Sequence, residues 1–206
     1  TSGSTGKPKG VLVEHGGVVN LIISRNAVEP IMFSLLCRKR CCVSLNYVFD
    51  PYPFDVFLCL GVLGGTCVLV PQSISLLDQQ PPPGLAYLHD VPSVIGMVDI
   101  PASVLWVEVG GEALNEAVAA SVGPSRTLYN AYGPTEVTIT SVGKSVPQDV
   151  RHLQSIGKPL PNVTCYVVDP SSTATATSTP LLQPIGVWGE LWLGGVQVAC
   201  GYLNRP

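Results

Sequence analysis

Short apolar runs that alternate with segments of helical period constrain this chain more than any other feature of its sequence. Residues 104–109 read as a strand, 113–121 as a helix and 127–129 as a strand again, a rhythm that specifies an α/β fold. Upstream, 11–13 reads as a strand and 17–24 as a helix with Val18, Leu21 and Ile22 at helical spacing. Residues 54–63 read as a helix, followed by a buried strand at 66–70. With 21 glycines and 19 prolines as punctuation, every element has to be short. Beyond Pro147 the texture changes to strands at 163–168 and 190–193, separated by a polar surface loop at 171–179. The expected organisation is an α/β core over residues 1–146 and a β-rich, barrel-like lobe over 147–206.

A hydrophobic content of 46% is enough to build a core, which argues against disorder. Charged residues make up only 12%, about half of the roughly 25% usual in soluble domains. So dry a surface fits either a membrane protein or a piece of something larger whose faces are covered by other sequence. The most apolar stretch, 56–70, is interrupted by Gly61, Gly64, Gly65 and Thr66 and is too short to span a bilayer. The chain opens without Met and already inside a Gly/Ser/Thr loop, so a fragment is expected. At a net charge of -3, with basic residues scattered apart from Arg38-Lys39-Arg40, nothing resembles a nucleic-acid stripe.

The seven cysteines lie mostly among apolar neighbours with no signal-like segment ahead of them, which predicts reduced thiols and a cytoplasmic location. Cys37, Cys41 and Cys42 lack zinc-site spacing and a second ligand pair. His15, His89 and His152 fall in no Ser/His/Asp or metal spacing, and no Gly-x-Ser-x-Gly turn exists, so hydrolase and zinc-enzyme readings are set aside.

Three loops could carry chemistry. The first ten residues hold four hydroxyls (Thr1, Ser2, Ser4, Thr5), three glycines (Gly3, Gly6, Gly10) and two lysines (Lys7, Lys9). Glycines let successive N–H groups converge on an anion, hydroxyls add donors, and lysine adds a mobile charge, which suits a triphosphate. A flexible linker has a similar composition. The Walker pattern does not fit, because only Ser4 and Thr5 separate Gly3 from Gly6-Lys7, and Pro8 stands where a magnesium-binding hydroxyl belongs. The second loop, Asn130-Ala131-Tyr132-Gly133-Pro134-Thr135-Glu136, places a ring for a purine, a hydroxyl for phosphate and a carboxylate for Mg2+ close together. The third, Gly110-Gly111-Glu112-Ala113-Leu114, lies at a strand-to-helix junction, where open α/β sheets bind ligands; a plain tight turn reads the same way.

These three segments, followed by Gly189-Glu190-Leu191-Trp192-Leu193-Gly194-Gly195 and by Gly201-Tyr202-Leu203-Asn204-Arg205-Pro206, occur in the order seen in the adenylate-forming superfamily. The chain most resembles part of the N-terminal core of a nonribosomal peptide synthetase adenylation domain, and the resemblance runs over all 206 residues. It implies an enzyme that uses Mg2+ and ATP to activate an amino acid as an acyl-adenylate. The product would be handed to the phosphopantetheine thiol of a partner carrier protein, with neither nucleic acid nor membrane involved. By the resemblance, Thr1, Ser2, Gly3, Ser4, Thr5, Gly6 and Lys7 embrace the β- and γ-phosphates. Lys7, Thr135 and Glu136 make the catalytic contacts, Thr135 to the α-phosphate and Glu136 to Mg2+. Gly111, Glu112, Ala113, Asn130, Ala131, Tyr132 and Gly133 complete the nucleotide site, with Tyr132 stacked on adenine.

For the substrate, Asp50 in Phe49-Asp50-Pro51 is the implied partner of the α-ammonium, though an aspartate before proline is also an ordinary turn residue. Pro51, Phe54, Glu108, Gly110, Ala131, Ile139 and Thr140 are the implied pocket positions, and an inward Glu108 would favour a polar or basic side chain. The chain departs from the family pattern in places. It carries two extra residues after Phe57, a shortened segment over 72–100 that leaves one pocket wall unassigned, and Gln197 and Cys200 in the late motif. Gln197 is similar to acyl-CoA ligases, which keeps an acyl- or aryl-acid ligase using coenzyme A as the alternative. The chain ends before the ribose-binding aspartate and the lid lysine of the family, so the 206 residues alone are expected to be a catalytically incompetent nucleotide-binding piece.

Overall fold

The computed structural model describes residues 9–71, 75–146, 153–173 and 179–204. Among the described residues, five parallel strands and two more that join through antiparallel pairing form one seven-stranded sheet. In chain order they are β1 (Arg40–Val43), β2 (Thr66–Leu69), β3 (Tyr87–Asp90), β4 (Trp106–Gly110), β5 (Thr127–Tyr132), β6 (Val142–Val146) and β7 (Lys158–Pro159), arranged in space as β2-β1-β3-β4-β5-β6-β7. Strands β8 (Val163–Val168) and β9 (Glu190–Gly195) pair antiparallel in a separate ribbon. The main sheet therefore reaches Lys158 and Pro159, past the change of texture at Pro147.

Parallel strands are usually covered on both faces, and alternation along each strand shows how this sheet is covered. Trp106, Tyr87, Tyr129 and Ala131 point to one core with Leu21, Met32, Leu36, Phe54 and Leu58. Val107, Val109, Leu88 and Leu128 point to the other, with Ile95, Val98, Val118 and Val122. The first face is supplied by helices α1 (His15–Val28), α2 (Pro30–Leu36) and α3 (Pro51–Val56), and the second by α4 (Pro92–Ile95) and α5 (Glu116–Val122). The side chain of Asn115 caps α5 by accepting from the Val118 N–H at 3.0 Å. Among the described residues no single helix is long and apolar enough to cross a membrane; α1 and α2 pass that test only together and are bent by 95°.

The sequence expectations hold for β4, α5, β8, β9 and the middle of α1, and fail in four places. The 11–13 segment is not a strand but a single antiparallel bridge from Val11 to Tyr202. The 66–70 segment is an edge strand with Thr66 and Leu69 exposed, because no described strand pairs with its outer side. Asn130, Ala131 and Tyr132 are not in a loop but finish β5, paired in register with Lys144, Gly143 and Val142 of β6. The 54–63 helix is two pieces, with a π-helical turn over Phe57–Val62 in which the Leu63 N–H reaches back to the Leu58 carbonyl. A π turn takes up surplus residues within a helix, and this one covers the stretch where the family pattern implies two extra.

Candidate functional site

In an open α/β sheet, ligands bind beyond the carboxyl ends of parallel strands, next to the point where the strand order reverses. The chain places β2 on one side of β1 and β3 on the other, so that point lies between β1 and β3. A cavity of about 370 Å³ opens there. It is lined by Leu45 after β1, by His89, Asp90 and Val91 at the end of β3, by Gly110 and Gly111 at the end of β4, and by Ala131 and Gly133 at the end of β5. Phe49, Asp50 and Pro51 close one side, and Pro134, Thr135, Glu136, Ile139, Thr140 and Lys9 the other.

A second cavity of about 810 Å³ is lined by Glu112, Ala113, Asn130 and Tyr132, and it shares Gly111, Ala131, Gly133 and Pro134 with the first. The two spaces have a common wall. Gly111 has φ of +80°, so the turn needs the conformational freedom of glycine, although a Cβ there would meet the Phe49 ring only at an ordinary 3.4 Å. Glu112 is engaged from outside: its carboxylate accepts from the backbone N–H and the hydroxyl of Ser93, at 3.0 and 3.1 Å.

Of the residues named as substrate contacts, Asp50, Pro51, Gly110, Ala131, Ile139 and Thr140 meet around the first cavity. Phe54 lies elsewhere, in the core with Leu21 and Leu58. Glu108, expected at the pocket wall, instead directs its carboxylate to Arg25 of α1 at 2.9 Å, with both side chains buried. The nucleotide positions Gly111, Glu112, Ala113, Asn130, Ala131, Tyr132 and Gly133 all line the second cavity. Thr1, Ser2, Gly3, Ser4, Thr5, Gly6 and Lys7 lie outside the described residues. Lys9, just after them, lines the first cavity with its ammonium 5.3 Å from the centre of the Tyr202 ring.

Two carboxylates at the cavity differ in their surroundings. Burial pushes the Asp50 carboxyl up, a hydrogen bond from Thr135 pulls it back, and its Oδ2 is buried with no protein partner. Glu136 accepts from the Tyr202 hydroxyl on Oε1 at 2.7 Å, and its other oxygen has no hydrogen bond from a described residue. A carboxylate held by one oxygen, with the other left over, is a hard oxygen donor suited to Mg2+.

Behind the cavity, period-2 alternation puts His89, Glu108 and Tyr129 on one face, in register across β3, β4 and β5. A buried chain of polar groups results. Arg25 donates to Glu108, the Tyr87 hydroxyl lies 3.2 Å from Glu108 and 3.0 Å from Asp55, and Asp55 accepts from His89 Nδ1 at 2.9 Å. The Arg25 guanidinium also lies 3.5 Å over the Tyr129 ring.

Burial alone would lower the His89 imidazole, but Asp55, reinforced by Glu108 and Asp90, outweighs it and lifts the pKa from 6.5 to about 9. A cation whose folded pKa exceeds its unfolded value stabilises fully below the unfolded value, and that contribution fades as pH rises through the folded one. In the full-length protein, hydrogen exchange of the β3–β4 segment should therefore accelerate between about pH 6.5 and 9, after correction for intrinsic exchange rates. The acceleration should be blunted in His89→Gln, and identical profiles in the two proteins would refute the assignment.

The loop that carries Ile139 and Thr140 into the cavity is held from the late segment. Thr138 and Ile139 are consecutive β-branched residues with φ of +50° and +67°, a conformation costly for such side chains. Buried Gln197 holds them there. Its Nε2 lies 3.3, 3.1 and 2.9 Å from the carbonyls of Val137, Thr138 and Thr140, and its Oε1 accepts from Asn20 at 2.9 Å. The Thr138 hydroxyl returns a hydrogen bond of 2.6 Å to the Gln197 carbonyl.

Asp90, Val91 and Leu45 were not among the residues singled out from the sequence, and His89 was weighed there only as a hydrolase or metal residue and set aside. One signal was there: two polar residues at the end of the apolar run 85–88, immediately before Val91-Pro92, mark a strand that ends at a ligand rather than in a turn.

A two-part crevice at the carboxyl edge of the sheet is where open α/β folds bind ligands, and comparison with known proteins makes the class specific. Residues 1–203 match the family of AMP-binding enzymes, and the chain belongs to it. It is 37% identical over 227 residues to malpinin synthetase of Mortierella alpina, covering all of this chain and 3% of that protein. It is 36% identical over 211 residues to the adenylate-forming reductase 03009 of Coprinopsis cinerea, covering all of this chain and 19% of that one. Among solved structures it is similar to a four-domain nonribosomal peptide synthetase, holo-AB3403, described as bound to AMP and glycine. The TM-score is 0.76 at 28% identity, covering 97% of this chain and 15% of that one. The chain thus spans a small part of the relatives it matches.

Proposed function

We propose that the protein carrying this segment activates an amino acid with ATP as its aminoacyl-adenylate, for transfer to a carrier-protein phosphopantetheine thiol in nonribosomal peptide synthesis. The observation that carries this reading is Asp50 Oδ2, a buried carboxylate oxygen with no protein partner at the edge of a cavity. Leaving such an oxygen unpaired is costly, and an α-ammonium is the guest that would satisfy it. The solved relative described as bound to AMP and glycine supports binding of a nucleotide and an amino acid.

In the reaction, a substrate carboxylate oxygen forms a bond to the α-phosphorus of ATP, the bond to the bridging oxygen breaks, and pyrophosphate leaves with that electron pair. No protein nucleophile takes part, so the side chains act by alignment and charge. Asp50 fixes the amine, which turns the carboxylate toward the wall shared by the two cavities. Glu136, steadied by Tyr202, is the residue that would hold the Mg2+ that accompanies ATP, and the ion neutralises phosphate charge. Thr135, which lines the same cavity as Asp50, stands between amine and phosphate. Gly111, Asn130 and Tyr132 would hold the adenosine in the larger cavity.

The test is ATP–pyrophosphate exchange by the full-length protein with a panel of amino acids and of the same acids lacking the α-amine. Exchange should require the amine, and Asp50→Asn should lower kcat/KM about 100-fold by removing the charge that receives it. Turnover confined to acids without an amine would replace this reading with an acyl- or aryl-acid ligase.

A further inference from the structure

We infer, resting on the amino-acid reading above, that the cavity receives a substrate whose side chain ends in a carbonyl-oxygen acceptor, a carboxylate or carboxamide, and that the His89 ring is the group that meets it. His89 lines the cavity, yet its ring is fixed from behind: Nδ1 lies 2.9 and 3.1 Å from the two oxygens of Asp55. Burial pushes the Asp55 carboxyl up and His89 pulls it back down; beside the protonated ring it is a carboxylate, which only accepts, so Nδ1 carries the hydrogen of that bond. Nε2 makes no hydrogen bond to a described residue and is not among the buried atoms left without a partner, so it is not sealed off, and the residue that carries it borders the cavity.

What Nε2 offers depends on the charge of the ring, and the groups behind it decide that. Asp55 on α3 and Glu108 on β4 supply two negative charges, and Arg25 supplies one positive charge. A protonated His89 closes this set to neutrality, and it makes Nε2–H a cationic donor aimed at the guest. Asp55, outweighing burial, leaves the ring protonated at neutral pH, in agreement with this arrangement.

The other acidic groups near His89 are already engaged. Glu108 faces Arg25 and Tyr87, away from the cavity. Asp90 borders the cavity, but its Oδ2 accepts from the Ser44 hydroxyl at 2.8 Å and its Oδ1 from the Val91 N–H at 2.9 Å. Around them the wall is apolar, with Leu45, Val91 and Ile139. A donor fixed in an apolar wall favours a matching acceptor and penalises an isosteric aliphatic chain, which would leave that donor dry and unpaired. This reverses the preference expected from Glu108, whose charge Arg25 absorbs.

The experiment is ATP–pyrophosphate exchange by the full-length protein with aspartate, glutamate, asparagine and glutamine set against leucine, methionine, lysine and ornithine. The expected result is a kcat/KM at least tenfold higher for one of the first four, with His89→Leu shrinking its ratio to leucine or methionine at least tenfold. A carboxylate winner identifies an ion pair, and a carboxamide winner a hydrogen bond without net charge; either supports the inference. A winner from the second four overturns it while leaving amino-acid activation intact, whereas exchange only with acids lacking the α-amine overturns both. If His89→Leu fails to fold, the wild-type panel decides alone. A purely structural His89 would lower all eight activities together and leave the ratio unmoved, which also counts against the inference.

Discussion

Replacing Glu136 with glutamine in the full-length protein is expected to lower ATP–pyrophosphate exchange by about three orders of magnitude while leaving the fold intact. Glutamine has nearly the same shape and can still accept the Tyr202 hydroxyl bond, so the change isolates one charge. That charge is the one proposed to hold the ion that travels with ATP, and losing such electrostatic stabilisation typically costs roughly 10²–10³-fold or more. The loss should be relieved in part by raised Mg2+ concentration, because the remaining oxygen ligand is weaker rather than absent. Tyr202→Phe removes only the hydroxyl that steadies the carboxylate, and about a tenfold loss is expected from it. Near-normal exchange in Glu136→Gln would remove the carboxylate from the mechanism.

The second large effect is on stability. Arg25→Leu should destabilise the segment by about 3–5 kcal/mol, because it leaves Glu108 buried and unpaired. It also strips the cation from the Tyr129 ring. The double variant Arg25→Leu/Glu108→Leu should recover a large part of the loss, since replacing both partners of a buried ion pair is far less costly than replacing one. Hydrogen exchange across β4 and β5 would read both variants. Equal destabilisation by the single and double changes would mean that packing around Arg25, rather than its pairing, accounts for the cost. Two of its own nitrogens, Nε and Nη1, lack partners, so Arg25 is held by few bonds and each matters.

How far the sequence reaches can be seen strand by strand. Strand β4, helix α5 and strand β8 were legible because their apolar residues recur at the period of the element that buries them. Strand β1 was not, since Arg40 opens it and two cysteines fill it, and the preceding Arg38-Lys39 reads as a solvated turn. Strand β3 was missed for a different reason: half of it is His89 and Asp90, polar groups that serve the crevice and so break the apolar pattern. The positions around the crevice were recovered through ordered motifs, each tied to a turn between elements. Arg25 was invisible, because a lone arginine in a helix reads as a surface residue. Its partner lies 83 positions away and meets it only after the sheet has formed.

The latch formed by Gln197 bears on any attempt to exchange specificity between relatives. The backbone that offers Ile139 and Thr140 to the cavity sits in a conformation that β-branched residues disfavour, and one amide from the late segment anchors it. A graft of the cavity-lining side chains alone would transplant the pattern of contacts without the scaffold that aims them. Chimeras cut so that residues 137–140 travel with Gln197 and Asn20 should keep their aim, and chimeras cut between them should lose it.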